Sequence, residues 1–190
     1  MQGEEQPEEL MLLYQQGDGS VLPRLYRQVA PAMFTYLYRL CRDRALAEDL
    51  LQEVFLRVHK VRHTYRPGSS VKPWLYAIAR YTAIDALRKR DRRREVAYEE
   101  GSRAGDRVPA EEAGCSEQME EVEQAMDLLP GGQREALLLT KVSGLSVKEA
   151  AAAMGCSEGA VKVKVHRALQ ALRTALGRHT SKHRAGVSGV

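Results

Sequence analysis

Apolar residues recur at intervals of three and four along most of the chain, a pattern that favours helices over strands. A short helix is expected over residues 8–16, ended by a Gly-Asp-Gly segment. A second is expected over about 20–40, capped by Ser20, and a third over 44–62, capped by Asp43. The second and third carry their apolar residues on one stripe, so each is expected to face a core.

The fourth predicted helix has no single apolar face. It follows a loop over 64–70, rich in Pro, Gly and Ser, and is expected to run from a Ser70 cap to about Arg90. Its apolar and aromatic residues are Trp74, Leu75, Tyr76, Ile78, Tyr81, Ile84 and Leu87. Either the helix lies at the centre of its domain, or it leaves some aromatic rings exposed for a partner. Such rings beside basic residues suit stacking on bases and contact with phosphates.

The second half of the chain contains a helix-turn-helix pattern. A helix seam from about Ser116 ends at the Pro-Gly-Gly of 130–132, and a further helix is expected over about 133–142. Ser146 and Glu149 then form a capping box, and Gly155 suits the left-handed end of the helix they begin. Ser157 caps the next helix only two residues later, which fixes the two helices at a steep angle.

One face of this last helix has the composition of a DNA-reading surface. After Ser157, that face carries Glu158, Lys162, Val163, His166 and Arg167. Such side chains enter the major groove in a helix-turn-helix, where Arg and Lys donate to guanine edges. The capped N-terminus of the helix suits a phosphate. The alternative is a helical hairpin used only for packing, which the tight turn and the basic face disfavour.

Charge changes sign twice along the chain. The sequence has 29 Lys and Arg against 25 Asp and Glu, a net charge of +4. Basic residues dominate 88–94 and 141–184, while acidic residues dominate 95–127. This layout indicates two nucleic-acid-facing units joined by an acidic connector, although solvated surface charge explains the charges alone equally well. Residues 91–114 lack sustained periodicity and are expected to be a flexible linker.

The cysteines and the N-terminal segment indicate the cellular compartment in which the protein is expected to work. The first five residues are polar and acidic, unlike a signal peptide, and no apolar run approaches the roughly 20 residues of a membrane span. The three cysteines lie in no metal-binding spacing. We therefore expect a cytoplasmic protein with reduced thiols, no membrane insertion, no metal and no cofactor.

Several segments together resemble bacterial RNA polymerase sigma factors of the extracytoplasmic-function (ECF) group. Residues 47–58 (AEDLLQEVFLRV) resemble their core-binding helix, and 73–80 (PWLYAIAR) with 85–90 (DALRKR) resemble their promoter-melting helix. Residues 129–135 (LPGGQRE) and 155–162 (GCSEGAVK) resemble their fourth conserved region. The order and spacing, with no long domain between them, match the group over roughly residues 10–176.

The resemblance implies an all-α protein of two small helical domains joined by a flexible linker. Residues 1–92 would form the region 2 domain, which binds core polymerase and the minus-10 element. Residues 93–115 would be the linker, passing through the polymerase channels. Residues 116–177 would form the region 4 helix-turn-helix, which binds the minus-35 element, and 178–190 a disordered tail.

The resemblance also implies which residues meet each partner. Core RNA polymerase would contact Asp49, Gln52, Glu53 and Arg57. The single-stranded minus-10 element would contact Tyr65, Arg66, Lys72, Trp74, Arg80, Tyr81 and Arg88. Duplex minus-35 DNA would contact Ser157, Glu158, Lys162, Val163, His166 and Arg167. An anti-sigma protein is expected as a further partner by resemblance alone.

The chain departs from the family pattern at two places. His59 stands where an aromatic residue is common, and Val163 and His166 replace more polar or aromatic residues of the recognition helix. The sequence therefore does not predict the minus-35 bases.

Two other functions compete with promoter recognition as a polymerase subunit. A stand-alone helix-turn-helix regulator would leave the 49–57 helix and the aromatic helix without a role, and it would usually need a dimer. A recombinase or nuclease would need an active site, yet no HxE, HExxH, Gly-rich phosphate loop or GxSxG is present. The favoured function is a sigma factor that binds core RNA polymerase and directs transcription initiation, without being an enzyme.

Overall fold

The computed structural model describes residues 5–99 and 117–186, with side chains over 5–93 and 121–177. Within these ranges the secondary structure is helical, and no strand is present. The chain divides near residue 110 into two compact units. None of the helices described combines the length and apolar character that crossing a bilayer requires. The all-α fold class predicted from the periodicity is confirmed.

Four helices build the first unit. They are α1 (Pro7–Gln15), α2 (Leu22–Cys41), α3 (Arg44–Val61) and α4 (Val71–Glu99). Helices α2, α3 and α4 pack against one another, and α1 packs on α2. The largest fully buried side chains of this unit are Leu10, Met11, Val21, Leu25, Met33, Tyr36, Leu37, Val54, Val58 and Leu75. The apolar stripes predicted for α2 and α3 therefore do face a shared core.

Local hydrogen bonds explain where these helices begin. The Asp43 carboxylate accepts from the backbone N–H of Leu46 at 3.0 Å, which caps α3 as predicted. The prediction that Ser20 caps the second helix is wrong. The Asp18 carboxylate instead accepts from the N–H of Ser20 at 2.9 Å and starts a 3₁₀ turn, Gly19–Val21, that leads into α2. An aspartate bonding to the backbone two residues on is a common turn-forming contact.

Helix α4 satisfies both alternatives left open by its sequence. One side is central, since Leu75, Ala79 and Ala83 are fully buried. Tyr81 points outward and is 67% exposed. The helix also runs to Glu99, past the predicted end near Arg90, because no Gly or Pro interrupts residues 91–99 and most of them are good helix formers. It thereby enters the predicted linker, of which residues 100–115 lie outside the described part.

The second unit packs two shorter helices against a long one. It contains α5 (Glu117–Asp127), α6 (Gly131–Leu137), a π turn (Leu138–Val142), α7 (Val147–Met154) and α8 (Glu158–Gly186). Helix α8 packs on α5 and α6. The core consists of Leu129, Leu137 and Ala168, with Met126, Val165, Leu169 and Leu172 packed against it. The seam predicted for α5 and the stripe predicted for α8 meet in this core.

Two helix boundaries in this unit differ from those predicted. Helix α6 begins at Gly131 rather than at Gln133, because the Pro130 carbonyl accepts from the N–H groups of Gln133 and Arg134. Helix α8 continues to Gly186, beyond residue 178 where a disordered tail was expected. One glycine inside a helix costs only about 1 kcal/mol, so Gly177 does not end it, and no proline follows.

Candidate functional site

The predicted caps begin α7 and α8, and a left-handed glycine ends α7 at the turn between them. The Ser146 N–H donates to Glu149 Oε2 at 2.9 Å, and the Glu149 N–H donates to Ser146 Oγ at 3.2 Å. This reciprocal pair is a capping box. Gly155 has φ +62°, the left-handed conformation predicted for the end of α7. Ser157 Oγ accepts from the Ala160 N–H at 3.2 Å and caps α8. The helix-turn-helix is confirmed.

The side chains on the outer face of α8 take no part in the packing of the second unit. Val161 and Ala168 are fully buried and hold the helix on its unit. The residues predicted to read DNA are all exposed: Glu158, Lys162, Val163, His166 and Arg167. In the part of the chain that the structure describes, none of these five makes an ion pair or a side-chain hydrogen bond, so all are available to a ligand. Exposed Arg and Lys beside a capped helix N-terminus form a surface that suits duplex DNA.

The loop between α3 and α4, residues 62–70, is built around a buried tyrosine. Tyr65 is only 2% exposed, and its hydroxyl donates to the Ser69 carbonyl at 2.6 Å. Its ring meets Trp74 edge-on, with centroids 5.7 Å apart. Burial, assisted by the negative charge of Glu8, raises the pKa of Tyr65. The ring and hydroxyl of Tyr65 thus anchor the α3–α4 loop, and its contact with DNA stays a prediction.

Charged and aromatic residues around this anchor stay accessible. Arg66 and Lys72 are exposed. Trp74 is half-buried, and its indole N–H donates to Thr64 Oγ1 at 3.1 Å. Farther along α4, Arg80 is half-buried, while Tyr81 and Arg88 are exposed. The predicted minus-10 residues of this helix are thus spread over about 24 Å of its length. One group gathers at the α3–α4 loop, and a second lies two to four turns away.

The predicted polymerase-binding residues of α3 divide into two sets. Asp49 and Gln52 are exposed. Arg57, by contrast, reaches α4: its guanidinium lies 5.4 Å from the Tyr81 ring centroid and 4.0 Å from the Asp85 carboxylate, and it also donates to Glu53 at 2.8 Å. Glu53 and Arg57 therefore belong to a network that joins two helices.

Asp85 is the shared acid of this network. Lys89 donates to it at 2.9 Å from one side, and Arg57 lies on the other. The hydrogen bond from Lys89, together with the positive charges of Lys89 and Arg57, lowers the pKa of Asp85. The carboxylate thus stays ionised and keeps Arg57 oriented beside the exposed Tyr81 ring.

Helix α1 contributes residues that the sequence reasoning missed. Gln15 Nε2 donates to the carbonyls of Arg62 and Tyr65 at 3.0 and 2.9 Å. Glu8 Oε1 accepts from the Val71 N–H at 3.0 Å. These partners lie 47 to 63 residues apart, so no local signal could have revealed them.

Two family models match the chain, one in each unit. The model for Sigma-70 region 2 matches residues 25–93, and the model for Sigma-70 region 4 matches residues 119–172. The first match takes in α2, α3, the α3–α4 loop and most of α4, but it begins after α1. The second takes in the helix-turn-helix.

Curated relatives cover most of the chain. An ECF RNA polymerase sigma factor from Mycolicibacterium smegmatis, SigE, is 35% identical over 175 residues, which are 87% of this chain and 66% of that protein. The RNA polymerase sigma factor CarQ of Myxococcus xanthus is 37% identical over 167 residues, 86% of this chain and 94% of that protein.

A solved structure has the same fold over most of the chain. The sigma factor RpoE of Bartonella quintana, crystallised with the anti-sigma factor NepR, matches with a TM-score of 0.70 and 29% identity. The match covers 82% of this chain and 96% of that one. The likeness therefore extends over both units rather than over a single motif.

Proposed function

The chain belongs to the ECF group of RNA polymerase sigma factors, and on that premise we propose which of its surfaces meets each partner. It binds core RNA polymerase and directs promoter recognition and transcription initiation. We assign core and minus-10 binding to residues 1–92, linkage to 93–115, and minus-35 binding to 116–177, with 178–190 as a tail.

The exposed face of α8 is the observation that carries the minus-35 assignment. Its side chains have no role in holding the unit together, yet the capping of α7 and α8 holds the helix in place. A rigid helix with free Lys162 and Arg167 side chains can donate to base edges in the major groove. Its N-terminus, capped by Ser157, suits a backbone phosphate.

The surface around the α3–α4 loop is assigned to the displaced minus-10 strand. Arg66 and Lys72 supply positive charge, and Trp74 supplies a partly exposed ring. Along α4, Tyr81 presents its ring with Arg80 and Arg88 nearby. Stacking on an aromatic side chain contributes about 1–3 kcal/mol per base, comparable to the few kcal/mol needed to pull a base from the stack. Tyr65 supports this surface from within.

Promoter opening is the function that separates a sigma factor from a stand-alone regulator, so it is the step to test. We expect Arg66→Ser combined with Lys72→Ser to leave core binding intact and to reduce open complexes strongly, because two contacts to the displaced strand are lost. Permanganate reactivity of promoter thymines, measured with reconstituted holoenzyme, reports the opening. A template with a premelted minus-10 bubble should restore much of the transcription.

A matched control removes the same charge elsewhere on the first unit. Arg44→Ser combined with Lys60→Ser takes two exposed basic side chains from α3. This control should open promoters as the parent does. Equal loss in both double variants would show that overall charge matters and that the α3–α4 loop is only a connector.

Core polymerase is assigned to the exposed polar residues of α3. We expect Asp49→Ala combined with Gln52→Ala to weaken association with core polymerase, since both side chains project from the helix. Fluorescence titration of labelled core enzyme measures the affinity. Glu9→Ala combined with Gln16→Ala removes the same two functional groups from α1 and should bind as the parent does. If the two double variants bind core equally well, this face of α3 is not the contact.

Three further assignments rest on the family. RpoE of Bartonella quintana was crystallised with an anti-sigma factor, and we propose an anti-sigma partner for this chain as well. We also propose that it acts in the cytoplasm, where its partners are, and that it has no catalytic centre of its own, because the polymerase performs the chemistry.

A further inference from the structure

The start of the α3–α4 loop is held by a residue from α1. Gln15 donates both of its hydrogen bonds from Nε2, one to the Arg62 carbonyl and one to the Tyr65 carbonyl. These carbonyls bracket the 3₁₀ turn Arg62–Thr64, at which α3 ends. The last carbonyls of a helix have no partner within it. The side chains of Arg62 and Thr64 donate locally to the carbonyls of His59 and Val61. Gln15 adds a donor from another helix and so ties the turn that follows α3 to α1.

The end of the loop is held by the same helix. The N–H of Val71, the first residue of α4, donates to the Glu8 carboxylate. A carboxylate at this position also interacts favourably with the positive end of the helix dipole. Glu8 and Gln15 lie seven residues apart, which places them on one face of α1 and about 10 Å apart along its axis. One rigid helix therefore holds both ends of the loop.

Further contacts fix α1 against the end of α3. The Tyr14 hydroxyl and His59 Nδ1 are hydrogen-bonded at 2.6 Å, and the Arg62 guanidinium lies 5.8 Å from the Tyr14 ring centroid. Leu10 and Met11 anchor the inner side of α1 because both are fully buried. Helix α1 cannot shift without moving the residues that begin the loop.

We propose that Glu8 and Gln15 are positioning residues for promoter opening. They contact no DNA; they hold the α3–α4 loop in the shape that presents Arg66, Lys72 and Trp74 to the displaced strand. The loop is then ordered before DNA arrives, so its ordering does not weaken strand capture. The inference rests on the role proposed above for the loop. It adds a helix that precedes the residues matched by the region 2 model.

The decisive variant is Gln15→Leu, with Gln16→Leu as its control. Both replace a glutamine at the end of α1, but the Gln16 side chain is exposed and makes no hydrogen bond to the other described residues. Losing the two bonds of Gln15 should slow open-complex formation on duplex promoters by about tenfold. Core affinity and transcription from a premelted template should stay within about twofold of the parent. Gln16→Leu should match the parent throughout.

Glu8 provides a second, independent variant. Glu8→Gln keeps an oxygen that accepts from Val71, whereas Glu8→Ala removes it. We expect near-parent opening for the first and a loss similar to that of Gln15→Leu for the second. The exposed Glu9→Ala serves as the control. Recovery by the conservative change would show that the hydrogen bond, rather than the general stability of α1, supports opening.

The loop can also be observed without DNA, because Trp74 is the only tryptophan of the chain. Release of the loop should separate Trp74 from Tyr65 and raise its quenching by acrylamide in Gln15→Leu and Glu8→Ala. Increased quenching together with slowed opening supports the proposal. Unchanged quenching and opening in both variants overturns it.

A third outcome separates this inference from the function on which it rests. Increased quenching with normal opening, while Arg66→Ser with Lys72→Ser still blocks opening, overturns the positioning role and leaves the loop's function intact. Normal opening in all of these variants would instead overturn the function proposed for the loop itself.

Discussion

The two surfaces that we propose to face DNA are built in different ways. The turn before the recognition helix α8 is held by residues close in sequence: Gly155 takes the left-handed conformation, and Ser157 caps the helix at Ala160. The α3–α4 loop has local bonds of its own, such as that from Tyr65 to Ser69, but its two ends are also held by Gln15 and Glu8, whose partners lie 47 to 63 residues away. The turn can form as soon as its helices form, whereas the ends of the loop are fixed only once α1 has packed on the first unit.

The difference follows from what each surface has to recognise. Duplex DNA presents a regular groove, and a straight helix with free side chains fits it without special backbone geometry. A displaced strand is irregular, so it needs a shaped loop, and a shaped loop needs partners for its backbone groups. We therefore expect each substitution on α8 to remove one contact with DNA, whereas a substitution that loosens one end of the α3–α4 loop should impair strand binding by the whole loop.

The largest expected effect concerns the recognition helix. Lys162→Ala combined with Arg167→Ala should lower holoenzyme affinity for a duplex minus-35 element by about 3 kcal/mol if both side chains contact base edges. Transcription from a premelted template that does not need the minus-35 element should change little. Binding isotherms at two salt concentrations separate base contacts from phosphate contacts, because only the loss of a phosphate contact flattens the salt dependence of binding.

A control with the same charge change tests whether the face is specific. Lys141→Ala combined with Lys148→Ala removes two exposed basic residues of the second unit that lie outside α8. An equal loss of affinity in this control would mean that the recognition helix reads charge and not sequence.

A smaller effect is expected when one glycine beside each of the two surfaces is replaced by valine. Gly155 and Gly68 have φ values of +62° and +79°, and a Cβ added at either would meet no atom within 4 Å. Valine should therefore cost about 2 kcal/mol through backbone strain alone at each position. We expect Gly155→Val to weaken minus-35 binding and Gly68→Val to slow opening, measured by the two assays above. If Gly155→Val slowed opening, or Gly68→Val weakened minus-35 binding, the two surfaces would not act separately.

The smallest effect is expected for the residue that joins α3 to α4. Arg57→Gln loses partly exposed ion pairs and a cation–π contact, together about 1 kcal/mol or less. It should slow opening slightly, because Tyr81 loses its support, and leave core affinity unchanged. Arg57→Lys, which keeps the charge, should behave more like the parent. A large loss of affinity for core polymerase in Arg57→Gln would show that Arg57 contacts the polymerase directly.

The sequence predicted best the elements whose causes are local. The caps at Asp43, Ser146 and Ser157 and the left-handed Gly155 follow from residues within three positions of each helix end, and all are confirmed. The burial of Tyr65 was missed because an aromatic residue in a polar loop gives no sign of which way it points. Its orientation depends on the Trp74 ring, on the Ser69 carbonyl that accepts from its hydroxyl, and on the bond from Gln15 to its own carbonyl.

The long-range contacts of Glu8 and Gln15 could not be predicted either, because no local sequence pattern marks them. Glu8 and Gln15 resemble ordinary polar residues on a short helix, since nothing near them differs from a solvated face. The end of α4 was also misplaced, because high charge suggested a linker although residues 91–99 are compatible with a helix.

The free outer face of α8 has a consequence for how such proteins diverge. Lys162, Val163, His166 and Arg167 can be exchanged without disturbing Val161, Ala168 or the caps that hold the helix, so the cost in stability of a new preference is small. After gene duplication, a few substitutions could redirect one copy to a different set of genes. The same freedom makes this face the natural place to design orthogonal promoter pairs, whereas the α3–α4 loop would have to be redesigned together with α1.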